Sequence, residues 1–138
     1  MAKVLFVFPD QYFLDFLCSY YEEYDFITDG ITNGISVLSK VVNQVPDLLL
    51  IYKNIENFDL KGFLVKKRIM KKISHISIFL VGDFQPDEIL EYKKEKVEAF
   101  ISDPINLQAL TDRLFKHFNR KPPQLKKYSH VNGYSCKR

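Results

Sequence analysis

Three aspartates each come shortly after an apolar run that predicts a buried strand: Asp10, Asp83 and Asp103. The carboxyl ends of parallel strands meet at one edge of a sheet, so we expect these side chains near that edge, with Lys53 close by. Because carboxylate oxygens are the ligands that Mg²⁺ prefers, one hypothesis is a divalent-metal site. The alternative is structural: Asp10 caps a helix, Asp83 belongs to a turn, and Asp103 pairs with Lys53 or faces water.

A second candidate surface is the segment 60–73, which contains six basic residues and no acidic one. At helical spacing Phe63, Ile69, Met70 and Ile73 gather on one side, which Lys66 interrupts. The opposite side carries the remaining bases, Lys61, Lys67, Arg68, Lys71 and Lys72. One hypothesis is a docking surface for an acidic protein, nucleic acid or an anionic lipid. The alternative is a solvated face of an amphipathic helix.

The length and charge distribution predict one domain followed by a basic tail. The 138 residues carry a net charge of +3, but residues 120–138 hold six basic residues and no acid. The first 119 residues therefore contain 14 basic and 17 acidic groups. This balance disfavours a uniformly basic nucleic-acid-binding domain. We expect a domain over 1–119, and over 120–138 a linker or tail that could lead to an output domain.

Several classes of protein are excluded by missing motifs. The apolar run 4–8 ends at Pro9 and is too short for a signal peptide or a membrane span. The two cysteines lie far apart, which predicts reduced thiols in a cytoplasmic protein. The sequence has no zinc-binding spacing, no nucleotide-binding glycine motif and no catalytic grouping of Ser, His, Asp or Cys. We therefore expect no cofactor and no enzymatic activity.

Strands and helices alternate along the chain. Strands are predicted at 3–8, 25–28, 48–52, 76–81 and 97–101, and helices near 10–23, 32–45, 60–73, 86–95 and 105–118. A repeat of about 20–25 residues with this order predicts parallel βαβ units. Right-handed crossovers then place helices on both faces of one doubly wound sheet.

Two stretches carry a resemblance to a known family. The segment VPDLLLI over 45–51 and the segment VEAFISDP over 97–104 are similar to the runs at the third and fifth strands of bacterial response-regulator receiver domains. The resemblance covers roughly residues 3–118. It implies a flavodoxin-like (βα)5 sandwich with a five-stranded parallel sheet of order 2-1-3-4-5.

The same resemblance implies that the phosphorylation site is lost. Receivers use an acidic pair for Mg²⁺, an aspartate that accepts the phosphoryl group, and a hydroxyl and a lysine that bind its oxygens. In this sequence the corresponding positions are Phe8 and Pro9, Tyr52, Val81, and Asp103. Phe100 matches a switch-associated aromatic, and Pro104 is retained. A tyrosine cannot form an acyl phosphate, so we expect no aspartyl phosphotransfer.

The sequence thus predicts a phosphorylation-independent receiver-like signalling domain. We expect it to act by contact with another protein, including homodimerisation through its fourth or fifth helix, and to have no membrane partner. The alternative hypothesis is an anion-binding module that engages nucleic acid or a nucleotide messenger through helix 60–73 and the basic tail.

Overall fold

The computed structural model describes residues 2–124 and contains one sheet of five parallel strands. The strands are β1 (Lys3–Val7), β2 (Ile27–Ile31), β3 (Leu48–Tyr52), β4 (Ser77–Val81) and β5 (Ala99–Ile101). Their order is β2-β1-β3-β4-β5, so the predicted order is confirmed. The central strand β3 is buried along its whole length, as its run of leucines and isoleucine predicts for a strand covered on both faces.

Five α-helices connect and follow the strands. They are α1 (Gln11–Glu22), α2 (Val37–Gln44), α3 (Leu60–Ile69), α4 (Pro86–Lys94) and α5 (Leu107–His117), and a short 3-10 helix (Gly34–Ser36) precedes α2. A buried hydrogen bond of 2.8 Å joins Tyr21 of α1 to Thr111 of α5. Right-handed crossovers place α2, α3 and α4 on the opposite face of the sheet. No helix in this part of the chain is long and apolar enough to cross a membrane.

The helix starts follow local chemistry. Asp10 accepts hydrogen bonds from the N–H groups of Tyr12 and Phe13, so the predicted cap of α1 is confirmed. Pro86 is the first residue of α4, where its missing N–H costs nothing, and the Glu88 carboxylate accepts a hydrogen bond from the N–H of Gln85. These caps direct each chain segment back across the sheet from its carboxyl edge.

The second strand differs from its predicted limits. The prediction ended at residue 28 because Asp29-Gly30 is a turn signal, but β2 extends to Ile31. At Gly30 the helix α1 approaches closely: a Cβ there would lie 2.6 Å from Cγ of Leu14. The glycine is therefore explained by close packing of α1 on β2, and the turn assignment was wrong.

The third helix is shorter than predicted. It ends at Ile69, and residues 71–75 form a turn that leads into β4. Ile69 is 70% exposed, so its predicted place on the apolar side was wrong. Leu64, which the helical pattern had not included, is buried together with Phe63.

Candidate functional site

Buried apolar side chains fill the carboxyl edge of the sheet at the positions where the resemblance predicted a lost phosphorylation site. Phe8 follows β1, Tyr52 ends β3 and Val81 ends β4, and all three are buried. The Phe8 ring contacts the Phe13 ring edge-on, with 5.6 Å between centroids. It also packs against the Tyr52 ring at 5.8 Å. Aromatic packing therefore occupies the space next to the β1 and β3 ends.

The Tyr52 hydroxyl donates a hydrogen bond of 2.6 Å to Oδ2 of Asp103. Tyr52 is 4% exposed and Asp103 is half-buried, just before a cis bond to Pro104. The contact joins the end of β3 to the loop after β5 across the end of β4. A phenol hydroxyl donating to a carboxylate is a charge-assisted hydrogen bond, among the stronger polar contacts in proteins. This hydrogen bond connects the end of β3 to the loop between β5 and α5.

Lys53 makes a separate polar cluster beside this pair. Its Nζ lies 3.0 Å from each carboxylate oxygen of Glu88 and donates to the carbonyl of Asp83 at 2.7 Å. The ammonium also lies 4.8 Å from the centroid of Phe84. Hydrogen bonding from the Gln85 N–H, and then from Lys53, lowers the pKa of Glu88. The predicted pair between Lys53 and Asp103 was therefore wrong: each has another partner.

The three aspartates do not form a metal-binding group. Asp10 is used by the cap of α1 and Asp103 by Tyr52, while Asp83 contributes its backbone carbonyl to Lys53. Within residues 2–124 no cluster of three or more His, Cys, Asp or Glu side chains is arranged to hold a metal ion. The described geometry thus agrees with the structural alternative for Asp10.

Salt bridges to α4 neutralise part of the predicted basic surface. Lys61 Nζ lies 2.8 Å from Oε1 of Glu91, and Arg68 Nε lies 3.5 Å from Oε2 of Glu95. Both pairs connect α3 with α4 and leave two fewer uncompensated cations for an external ligand. Lys71 and Lys72 are exposed, but they lie in the turn after α3.

Lys67 is buried, so its predicted place on the exposed basic side was wrong. Its Nζ donates to the carbonyl of Ser74 at 2.9 Å and so connects α3 to the turn that follows. Burial of the ammonium lowers the pKa of Lys67. The helical pattern placed Lys67 outside because it continued the helix to residue 73, whereas the chain turns back over this side chain.

A groove lies between α4, β5 and α5. It has a volume of about 610 Å³, and its lining includes Ile89, Lys93, Phe100, Pro104, Ala109 and Arg113. The predicted switch-associated aromatic, Phe100, is half-buried here, with its ring 5.3 Å from that of Phe84. On the outer side of α4, Leu90 is 64% exposed. This face combines apolar side chains with basic residues at its edges.

The sequence reasoning missed two residues of this region, Phe84 and Glu88. The signal for Glu88 was present, because a glutamate in the first turn after Pro86 suits a capping box. Its contact with Lys53 spans 35 residues, and no local pattern indicates it. The basic residues from Lys126 onward and Cys136, all in the predicted tail, lie outside the described residues.

Comparisons with solved structures show that this fold is similar to that of response-regulator receiver domains. A two-component response regulator from Clostridium difficile is similar, with a TM-score of 0.76 at 18% identity over 87% of this chain and 98% of that one. The chemotaxis response regulator CheY4 of Vibrio cholerae gives 0.75 at 18% identity over 84% and 98%. A response regulator from Desulfuromonas acetoxidans gives 0.72 at 17% identity over 86% and 98%.

Comparison of sequences gives no match that could be set beside these structural ones. No protein-family model matches the chain, and no curated protein matches it either. The strand order, the five helices and the structural likeness together carry the assignment of fold. The chain has the flavodoxin-like α/β fold of CheY-like receiver domains.

Proposed function

We propose that this chain is a phosphorylation-independent receiver-like signalling domain that acts by contact with a partner protein and has no catalytic activity of its own. The observation that carries the proposal is the hydrogen bond from Tyr52 to Asp103, with Phe8 packed against Tyr52. Phosphotransfer at this place would need a carboxylate nucleophile and a cationic clamp for the phosphoryl oxygens. The chain has a phenol and a carboxylate there instead.

The same pair supports independence from phosphate in a second way. It joins the end of β3 to the loop after β5, so the loop has a partner within the fold and needs no added group to hold it. A fixed loop gives a fixed α4–β5–α5 face. We therefore expect the partner-binding state to exist without a phosphodonor.

For the partner we propose a second copy of this chain, bound through α4 or α5. The α4–β5–α5 groove is lined by apolar residues, with Lys93 and Arg113 on its lining and Glu98 beside them. A two-fold axis brings the same patch of two copies together, so cations of one copy can approach the carboxylate of the other. Leu90, exposed on α4, would become buried in such a contact.

The test is the mass of the particle in solution, measured by sedimentation from about 1 to 200 µM. The wild-type chain should form a dimer, and Leu90→Asp should weaken it by roughly tenfold or more, because a buried interface leucine becomes a charge. Ile35→Asp is the matched control, since Ile35 is 78% exposed on the far side of the fold and should leave the dimer unchanged.

Acetyl phosphate with Mg²⁺ added to the same samples should change nothing. A chain that stays monomeric at every concentration would refute the second copy as the partner. A dimer that strengthens only with the phosphodonor would refute independence from phosphate. A monomer that binds a different protein through Leu90 would support an interaction module with another partner.

The anion-binding alternative has less support, because Lys61 and Arg68 are paired and Lys67 is buried. Non-specific binding to nucleic acid depends on releasing counterions, so it would weaken steeply with salt. We expect no binding of labelled nucleic acid that depends on Lys61, Arg68 or Lys67.

A further inference from the structure

The segment 10–29, which includes α1, has an unusually one-sided charge. It contains six acidic residues and no Lys, Arg or His: Asp10, Asp15, Glu22, Glu23, Asp25 and Asp29. Two of these have local structural roles, since Asp10 caps α1 and Asp29 forms an ion pair of 2.8 Å with Lys40. The other four are exposed and define what we call the acidic α1 surface: Asp15, Glu22, Glu23 and Asp25.

No Lys or Arg of the described part of the chain forms an ion pair with these four carboxylates. Glu22 accepts a hydrogen bond from the Thr28 hydroxyl, and Asp15 accepts one from the Gln11 amide. Neither contact brings a positive charge. Within residues 2–124 none of the four carboxylates has a Lys or Arg in ion-pair distance. The exposed sides of α1 and of the turn after it therefore carry four carboxylates without a cationic partner among residues 2–124.

The chain leaves α5 next to the turn that follows α1, where Glu23 and Asp25 lie, and is anchored there. The Arg120 guanidinium donates to the carbonyl of Tyr24 and lies 4.4 Å from the ring centroid of Phe26. It lies 4.9 Å from that of Phe115. This contact holds the first residue of the basic tail to the end of α1.

After Arg120 the chain runs back along α5 on the side that faces α1. The carbonyl of Pro123 accepts a hydrogen bond of 3.2 Å from the Gln108 side chain. Gln108 and Phe115 are seven residues apart, so they lie on the same side of α5. Phe115 contacts Tyr24 of α1, with 5.8 Å between ring centroids. Residues 120–123 therefore lie over the junction of the two helices.

The two helices also fix the height at which the tail departs. Both helices follow the carboxyl ends of parallel strands, so they run in the same direction. The hydrogen bond between Tyr21 and Thr111 sets these two residues at the same level. Gln108, three residues before Thr111, is therefore level with about residue 18 of α1. Asp15 is three residues above that level and Glu22 is four below it. At 1.5 Å per residue both carboxylates stand within about 6 Å of it along the helix axis.

We propose that residues 125–138 bind the acidic α1 surface of the same molecule. This segment carries Lys126, Lys127, Lys137 and Arg138 and no acid, so its charge is complementary. Fourteen residues can reach up to about 46 Å, while α1 is about 18 Å long, so the segment can span the surface. Attachment at Pro123 gives it a local concentration in the millimolar range, which favours its own molecule over a second copy.

The test uses a spin label on Cys136 of the full chain in a Cys18→Ala background, which leaves one thiol. Paramagnetic broadening of the backbone amide signals then reports which surface the tail visits. At about 20 mM salt we expect amides of α1 between residues 15 and 25 to broaden. At about 500 mM salt the broadening should be largely lost, because the Debye length falls to a few ångströms.

A matched pair of charge variants locates the contact. Glu23→Lys should reduce the broadening of α1 at least about twofold, whereas Asp87→Lys on α4 should leave it unchanged. A mixture of isotope-labelled chains without the spin label and unlabelled chains with it detects binding between molecules. We expect no broadening in that mixture.

Two results would overturn the proposal. One is the wrong pattern within a molecule: no broadening of α1 at low salt, broadening that Glu23→Lys does not reduce, or broadening centred on another element. The other is broadening of equal size in the mixture, which would assign the surface to the tail of a second copy. The α4–β5–α5 face is not involved, so failure here and failure of the proposed dimer are separate results.

Discussion

Removing the Tyr52 hydroxyl is the most informative single change at the sheet edge. Tyr52→Phe keeps the buried ring against Phe8 and deletes only the donor of the 2.6 Å bond to Asp103. A hydrogen bond to a charged group contributes about 1.5–3 kcal/mol. Because Asp103 is half-buried, water can replace part of the lost contact. We therefore expect the free energy of unfolding to fall by about 1.5–2 kcal/mol.

The assay is urea unfolding followed by circular dichroism, with a thermal melt as a second readout. For a domain of this size the loss corresponds to a decrease of roughly 5–8 °C in Tm. Asp103→Asn keeps an acceptor oxygen without the charge, so it should cost less, about 0.5–1 kcal/mol. The double variant should cost less than the sum of the two single variants, because both remove one interaction.

Tyr12→Phe is the matched control, since Tyr12 is 90% exposed and its hydroxyl holds no loop. It should change the free energy of unfolding by less than about 0.5 kcal/mol. If Tyr52→Phe proves as neutral as this control, or if the two single effects simply add, the contact does not hold the β5–α5 loop. Such a result would contradict a loop that is held in place without phosphate.

Three further changes test the energetics around the site. Phe8→Ala should destabilise the fold by about 3–5 kcal/mol in urea unfolding, because it opens a cavity beneath Tyr52; a loss under 1 kcal/mol would contradict tight packing there. The pKa of Lys67 is lowered from 10.5 in the folded chain, so just below that pH the unfolded chain binds more protons than the folded chain does. The stability of the wild type relative to Lys67→Met should therefore rise between pH 8 and 10.5, and a flat difference would count against burial of the ammonium. The pKa of Glu88 is lowered from 4.5, so its stabilisation is present above that pH and is lost on acidification. The difference between wild type and Glu88→Gln should shrink from pH 6 to pH 3, and a constant difference would contradict the pair with Lys53.

The sheet was predictable because its determinants are local. The strands β1, β3 and β4 are apolar runs, and the bounds of β3 match the prediction residue for residue. The strand β2 contains Asp29 and Gly30, which is why its predicted end was wrong. Once five strands alternate with helices, crossover handedness restricts the topology to few choices. The cap at Asp10 and the start of α4 at Pro86 likewise depend on neighbours within four residues.

The contacts of the site were not predictable, because they join residues far apart in the chain. Tyr52 and Asp103 are separated by 51 residues: Tyr52 ends β3 and Asp103 follows β5, a strand that is not adjacent to β3. Their types were noted in the sequence, but pairing charge with charge favoured Lys53 as the partner of Asp103. In the structure Lys53 forms its ion pair with Glu88, whose position depends on how α4 begins.

The burial of Lys67, and the pairing of Lys61 and Arg68, escaped prediction for a related reason. A helical pattern assigns sides within one helix and assumes that the helix continues. It contains no information on Glu91 and Glu95 of α4, which approach Lys61 and Arg68 only after both helices pack on the sheet. Nor does it indicate that the chain after Ile69 folds back over Lys67.

Intact mass spectrometry shows whether the carboxyl edge of the sheet accepts a phosphoryl group. The purified chain is incubated with acetyl phosphate and Mg²⁺, with a phosphorylation-competent receiver as the positive control. We expect the control to gain one phosphoryl group while this chain keeps its unmodified mass. A stoichiometric gain of one phosphoryl group that hydroxylamine removes would identify an acyl phosphate and refute the loss of phosphotransfer.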